Sequence, residues 1–192
     1  EKIYKKNDPA HDFEHIMRVY RNAEKICKTE TGNKKLILSA VLLHDIVKIK
    51  NQKDSATKSA KLSEKILKEN CFLDDEIGII SDAIKEHSFS KGKIPSSIEG
   101  KILQDADRLD AIGAIGLARV FSFSGSNNRP FYDPKDPFSK NRVIDDNKWA
   151  LDHFFEKLLT LEKKMNTKTG KILAKNRTKI LKNFLKELKT EI

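Results

Sequence analysis

Apolar residues return at three- and four-residue steps along most of the chain, and no alternating strand pattern persists. This period predicts helices near 13–30, 34–48, 55–70, 74–87, 97–121, 146–166 and 171–190. Thr31-Gly32-Asn33 separates the first two, Asp54-Ser55 offers a cap for the third, and Asp74-Asp75 places acids where the dipole of the fourth favours them. Ser88 to Pro95 reads as a linker. Segment 122–145 differs from its surroundings. Its three prolines, Pro130, Pro134 and Pro137, forbid a continuous helix there, and a loop this long in a helical domain is usually functional or disordered. The expected fold class is all-α, in a single domain over 1–192.

Composition sharpens this in two places. With 38% apolar and 34% charged residues, disorder and low complexity are excluded as descriptions of the whole chain. The longest nearly unbroken apolar run, Ile37 to Leu43, is too short to cross a bilayer, and no apolar leader follows the charged start. Cys27 and Cys71 form no CxxC pair, which suits a reducing cytoplasm. The net charge of +10 is uneven: Thr160 to Ile192 holds ten Lys/Arg against three Asp/Glu, leaving only +3 for the rest. In that segment Ile172, Leu173, Ile180, Leu181, Phe184, Leu185 and Leu188 form one stripe of an amphipathic helix, read as docked with its lysine face in water. Nucleic-acid or membrane-surface binding is the competing reading. Only seven basic residues are Arg and few aromatics interleave with the lysines, which weakens a case for base readout.

The chemistry concentrates on a few positions. Of five histidines, His11, His15, His44 and His87 precede the Pro-rich loop, and His153 follows it. His44-Asp45 ends the most apolar run, and Asp105-Ala106-Asp107-Arg108-Leu109-Asp110 interrupts another apolar stretch. Burying either group unpaired is costly. Each element alone has a plain structural explanation: a core histidine held by a carboxylate, a surface Asp107-Arg108 ion pair, a glycine-spaced helix packed against a neighbour. Together, three buried-looking helices each bring a group competent for a borderline or hard divalent ion.

That order of residues resembles the HD superfamily of metal-dependent phosphohydrolases, in which a His, a His-Asp doublet and a distant Asp follow one another. The matching text is His11-Asp12-Phe13-Glu14-His15-Ile16-Met17-Arg18-Val19, then Leu43-His44-Asp45-Ile46-Val47-Lys48, then Asp105 to Asp110 continuing as Ala111-Ile112-Gly113-Ala114-Ile115-Gly116. The His15-Ile16-Met17-Arg18-Val19 and Asp105–Gly116 phrases resemble the small bacterial single-domain branch of that superfamily, similar to nucleotide pyrophosphohydrolases. The likeness covers about residues 8 to 138 and leaves a helical extension, about 146–190, outside it. It implies an all-helical HD core with metal ligands His15, His44, Asp45 and Asp107. One divalent ion is expected, manganese first, with Mg, Fe, Co, Ni or Zn also compatible.

The function implied is hydrolysis of a nucleotide, foremost a nucleoside triphosphate, releasing pyrophosphate or phosphate. The alternatives are a nucleoside monophosphate phosphatase and a non-catalytic nucleotide- or nucleic-acid-binding regulator keeping the fold. Arg18, three positions after His15, and Lys48, four after His44, are candidates to hold phosphate, with Arg108 and Arg119 as weaker ones. Glu86, His87 and Asp110 are the candidate catalytic groups for proton transfer. His153 is read as structural. The expected protein is cytoplasmic, a monomer or homodimer, with a small-molecule nucleotide substrate and no membrane partner.

Overall fold

A computed structural model describes residues 13–47, 54–88 and 93–192. Among them are eight α-helices and no strand: α1 (Phe13–Ile26), α2 (Lys34–Leu43), α3 (Ser55–Glu69), α4 (Asp74–Glu86), α5 (Ile98–Asp110), α6 (Gly113–Ser126), α7 (Asp152–Glu156) and α8 (Lys168–Glu191), with a 3-10 helix at Leu158–Lys164 before α8. The all-α expectation is met. No described helix is long and apolar enough to cross a membrane. The chain divides into two compact units, the first reaching Arg108 and taking back Asn166–Gly170, the second comprising Leu109–Met165 and Lys171–Ile192.

The first unit is a helical core. Ile16, Val19, Ala23 and Ile26 put one face of α1 fully out of water, at the spacing that aligns side chains along a helix. Ile37, Ala40 and Val41 of α2, Ile80, Ala83 and Ile84 of α4, and Ile102, Leu103 and Ala106 of α5 are equally inaccessible. Helix α3 packs on α4, and α2 packs on both α1 and α4. The break before α2 works as the sequence suggests: the Asn33 side chain accepts from the Lys35 and Leu36 amides. Asp54 precedes α3 but makes no side-chain cap hydrogen bond. At α4 the Glu76 carboxylate reaches back to the Leu73 amide at 3.1 Å, closing the exposed first turn.

Two predicted helices are in fact broken. The stretch 97–121 stops at Asp110 and restarts at Gly113, whose φ of +80° is a left-handed conformation that favours glycine. Gly116 follows because a Cβ there would lie 2.2 Å from the Ala111 carbonyl oxygen. The stretch 146–166 becomes a short α-helix and a 3-10 helix.

In the second unit Phe121 meets Phe131 and Phe184 edge-on, and Phe184 stacks on Phe154 at 5.8 Å. The Pro-rich loop, read from sequence as functional or disordered, is pinned to one buried carboxylate. Asp152 accepts from Arg142 at 2.6 and 2.7 Å, from the Asp145 amide at 2.7 Å and from Ser139 at 2.9 Å. Burial pushes the Asp152 carboxyl up, but these donors win and hold it below its ordinary value.

Candidate metal centre

The site lies in the first unit, at the ends of helices whose inward faces are apolar. His15 stands on α1, one residue before the core residue Ile16, and is buried. His44 is the C-cap of α2 and His87 the C-cap of α4, both still in helical geometry. Each donates Nδ1–H to the carbonyl three residues back, Val41 at 2.7 Å and Ile84 at 2.6 Å. That bond satisfies a last-turn carbonyl and fixes the tautomer of the neutral ring, which leaves Nε2 as the nitrogen free to face the site. Asp45 follows His44 and is buried, while Asp107 comes from α5 with 29% of its side chain exposed.

These residues converge. His15, His44 and Asp107 form one group, and His44, Asp45 and His87 another, with the ligand atoms within each group no more than 4.8 Å apart. His15 Nε2 lies 3.5 Å from Asp107 Oδ1, and the His44 ring meets those of His15 and His87 edge-on at 5.6 and 5.1 Å. Burial pushes the His44 imidazole down to about 4, against the pull of Asp45, so it is neutral at pH 7. Its Nε2 is buried without a hydrogen-bond partner among the described residues, an arrangement that normally costs free energy. At Asp107 burial raises the carboxyl, but His15, His44 and His87 draw it below its ordinary value. A neutral imidazole with an aimed, orphaned Nε2 among carboxylates is a donor set that fits a divalent cation.

The four residues expected as metal ligands are thus all here, and the structure adds His87, placed in the sequence among proton-transfer groups. Its signal was its position at a helix end, the same as that of His44. Glu86, its neighbour, is occupied differently: its carboxylate accepts from the Ser96 amide at 2.8 Å and the Ser96 hydroxyl at 3.2 Å, fastening the entry to α5. Arg18 is half-buried on α1, one turn after His15. Arg108 is not the surface cation of an ion pair, since it is buried; burial pushes its guanidinium down while Asp105 and Asp107 oppose this, and arginine stays charged. Lys48 and His11 lie outside the described residues. Asp110 and Arg119 pair with each other in the second unit at 2.6 Å, which gives both a structural role. His153 accordingly finds a partner in Asp146 at 2.8 Å.

Asn22 and Gln104 of the first unit carry no obvious signal in sequence, and Asp105 stands out there only as part of a carboxylate cluster. Asn22 of α1 donates to the Ala106 carbonyl at 3.0 Å, one residue before Asp107. Gln104 and Asp105 of α5 are wholly buried and bonded to Asn166, just ahead of α8.

The all-helical scaffold gathers imidazoles and carboxylates around His44 into groups that could hold a divalent cation. Residues 12–112 match the HD domain, and the chain belongs to that family. It is 34% identical over 188 residues to the uncharacterized protein YpgQ of Bacillus subtilis, covering 95% of this chain and 85% of that protein. Among solved structures, an HD-superfamily hydrolase from Bacillus thuringiensis is 34% identical with a TM-score of 0.78, over 98% of this chain and 90% of that one. Bacillus subtilis YpgQ in complex with ADP is 31% identical with a TM-score of 0.79, over 100% and 89% of the two chains.

Proposed function

We propose that the chain is a metal-dependent phosphohydrolase acting on nucleotides, foremost a nucleoside triphosphate, with release of pyrophosphate or phosphate. The observation that carries the reading is His44, which belongs to both groups of metal-competent side chains and keeps a buried Nε2 without a hydrogen-bond partner among the described residues. The relative solved with ADP supports a nucleotide as the small molecule, and the HD-superfamily hydrolase supports the reaction class. His15, His44, Asp45 and Asp107 are the residues that would hold the ion, with manganese the first to test. A divalent ion bound there would supply a water of lowered pKa and a Lewis acid for a phosphoryl oxygen.

The chain's own residues do the rest. Val41 and Ile84 hold the His44 and His87 rings by Nδ1, so each imidazole meets the site through Nε2 in a fixed tautomer. His87, buried and with its Nδ1–H bonded to Ile84, presents Nε2 as the group to take a proton from the attacking water. Arg18 and Arg108 supply permanent positive charge for a substrate that carries several negative ones.

The test is phosphate and pyrophosphate release from a panel of nucleoside mono-, di- and triphosphates with Mn, Mg, Co or Ni added. Turnover of triphosphates that vanishes with chelator is expected. Turnover restricted to monophosphates would replace the substrate assignment, and no turnover with any metal would remove the enzymatic reading.

A further inference from the structure

The metal-competent residues reach the site from four separate helices, and two of these, α4 and α5, are tied together by Gln104 of α5, which is itself held by Asn166, a residue outside all four. Asn166 Nδ2 donates to Gln104 Oε1 at 3.0 Å and to Asp105 Oδ1 at 2.9 Å. Gln104 Nε2 in turn shares its two hydrogens among three carbonyls: His87 and Glu86 at 3.3 Å each, and Lys93 at 3.0 Å. One path from Asn166 therefore ends on the backbone of His87. The other ends on Asp105, two residues before Asp107 on the same helix.

Asp105 is fixed from several directions. It accepts from the Asn166 amide at 2.9 and 3.1 Å, and from the Thr167 amide and hydroxyl at 2.7 Å each. Gln104 and Asp105 are both fully buried, while Asn166 is half-buried, so the acceptors are withdrawn from water and need these donors. The donors come from the segment 166–170, about 60 residues from α5 in sequence yet packed within the first unit.

We propose that Asn166 and Gln104 are positioning residues of the metal centre, setting the C-terminal end of α4 against α5 so that His87 and Asp107 face the same space as His44. The proposal rests on the reading of His87 and Asp107 as site residues. Groups that act through ligands in this way change metal affinity by about 10- to 100-fold when removed.

Asn166→Ala deletes the side-chain bonds but leaves the backbone donors of Asn166 and Thr167. Asn166→Asp keeps the shape but replaces the donor by an acceptor beside Asp105 and Gln104 Oε1. Gln104→Met, close in volume, removes the link to the His87 carbonyl and serves if the first variant fails to fold. Ile26→Val in the core of α1 is the control for ordinary loss of stability.

Two quantities are measured. The tautomer of His87 is read in metal-free protein from long-range proton–nitrogen NMR of the imidazoles, and manganese affinity is read by calorimetry. The wild type and Ile26→Val should show a single Nδ1–H form of His87. Asn166→Ala should show a mixture with manganese affinity at least about tenfold weaker, and Asn166→Asp should be worse than Ala despite its matching shape. Wild-type behaviour of His87 in Asn166→Ala and Gln104→Met would overturn the proposal, as would an Asp variant equal to wild type. If the wild type binds no metal, the function proposed above fails, and the His87 tautomer alone still decides the positioning claim.

Discussion

Gly78 and Gly170 both sit in helices, and the same substitution should have opposite effects at the two. An alanine Cβ at Gly78 would meet nothing within 4 Å, whereas at Gly170 it would lie 2.4 Å from Asp105 Oδ2 and 2.7 Å from Thr167 Oγ1. Replacing a helical glycine by alanine gains about 0.5–1 kcal/mol from backbone entropy alone, which is the whole expectation for Gly78→Ala. At Gly170 the carboxylate must retreat by about 1 Å to reach ordinary contact, which stretches bonds of 2.7 Å beyond the normal hydrogen-bond range. Losing two hydrogen bonds to a buried charged group costs about 3–5 kcal/mol, against a gain of at most about 1. The net loss for Gly170→Ala is therefore about 2–4 kcal/mol, or roughly 5–15 °C in melting temperature for a chain of this size. Thermal unfolding followed by circular dichroism measures both variants. A Gly170→Ala protein as stable as wild type would refute the claim that Asp105 is held rigidly against the first turn of α8.

Asp107→Ala and His44→Ala should each lose bound manganese and hydrolysis together, because each removes a donor from the group they share with His15; metal analysis of purified variants beside activity assays checks this. Asp152 carries a carboxyl held below its ordinary value, so its contribution to stability is present above the unfolded value of about 4 and is lost as pH falls through the lower folded one; in Asp152→Asn that part of the acid slope should disappear from pH-dependent melting. From Lys171 onward all six lysines of α8, at 171, 175, 179, 182, 186 and 189, fall within an arc of about 80° at 100° per residue, and all are exposed. Lys179→Glu replaces two like-charge contacts, with Lys175 and Lys182, by attractive ones, and should raise stability by up to about 1 kcal/mol at low salt, a gain that fades as salt is added.

The helical period was enough to expose the class of fold, because every long element buries a stripe at the spacing of α1, where Ile16, Val19, Ala23 and Ile26 face one way. It was not enough to place the break between α5 and α6. Apolar residues continue through Ala111-Ile112, and the turn is imposed by a left-handed backbone at Gly113 that no periodicity registers. The site divides along similar lines. His15, His44, Asp45 and Asp107 stood out in sequence as metal-competent groups on apolar helices, and it was the resemblance of their order to the HD signature that implied a ligand set. His87 was legible as a reactive residue but not as the neighbour of His44, since that depends on how the end of α4 packs against the end of α2. Gln104 and Asn166 were not legible at all. Amides of this kind are common on helix surfaces, and what distinguishes these two is a bond spanning 62 residues to the buried Gln104. Local sequence thus reports which side chains can bind a cation, while the bonds that aim them are non-local, which is why single changes at Asn166 and Gly170 bear on the site as directly as changes near its ligands.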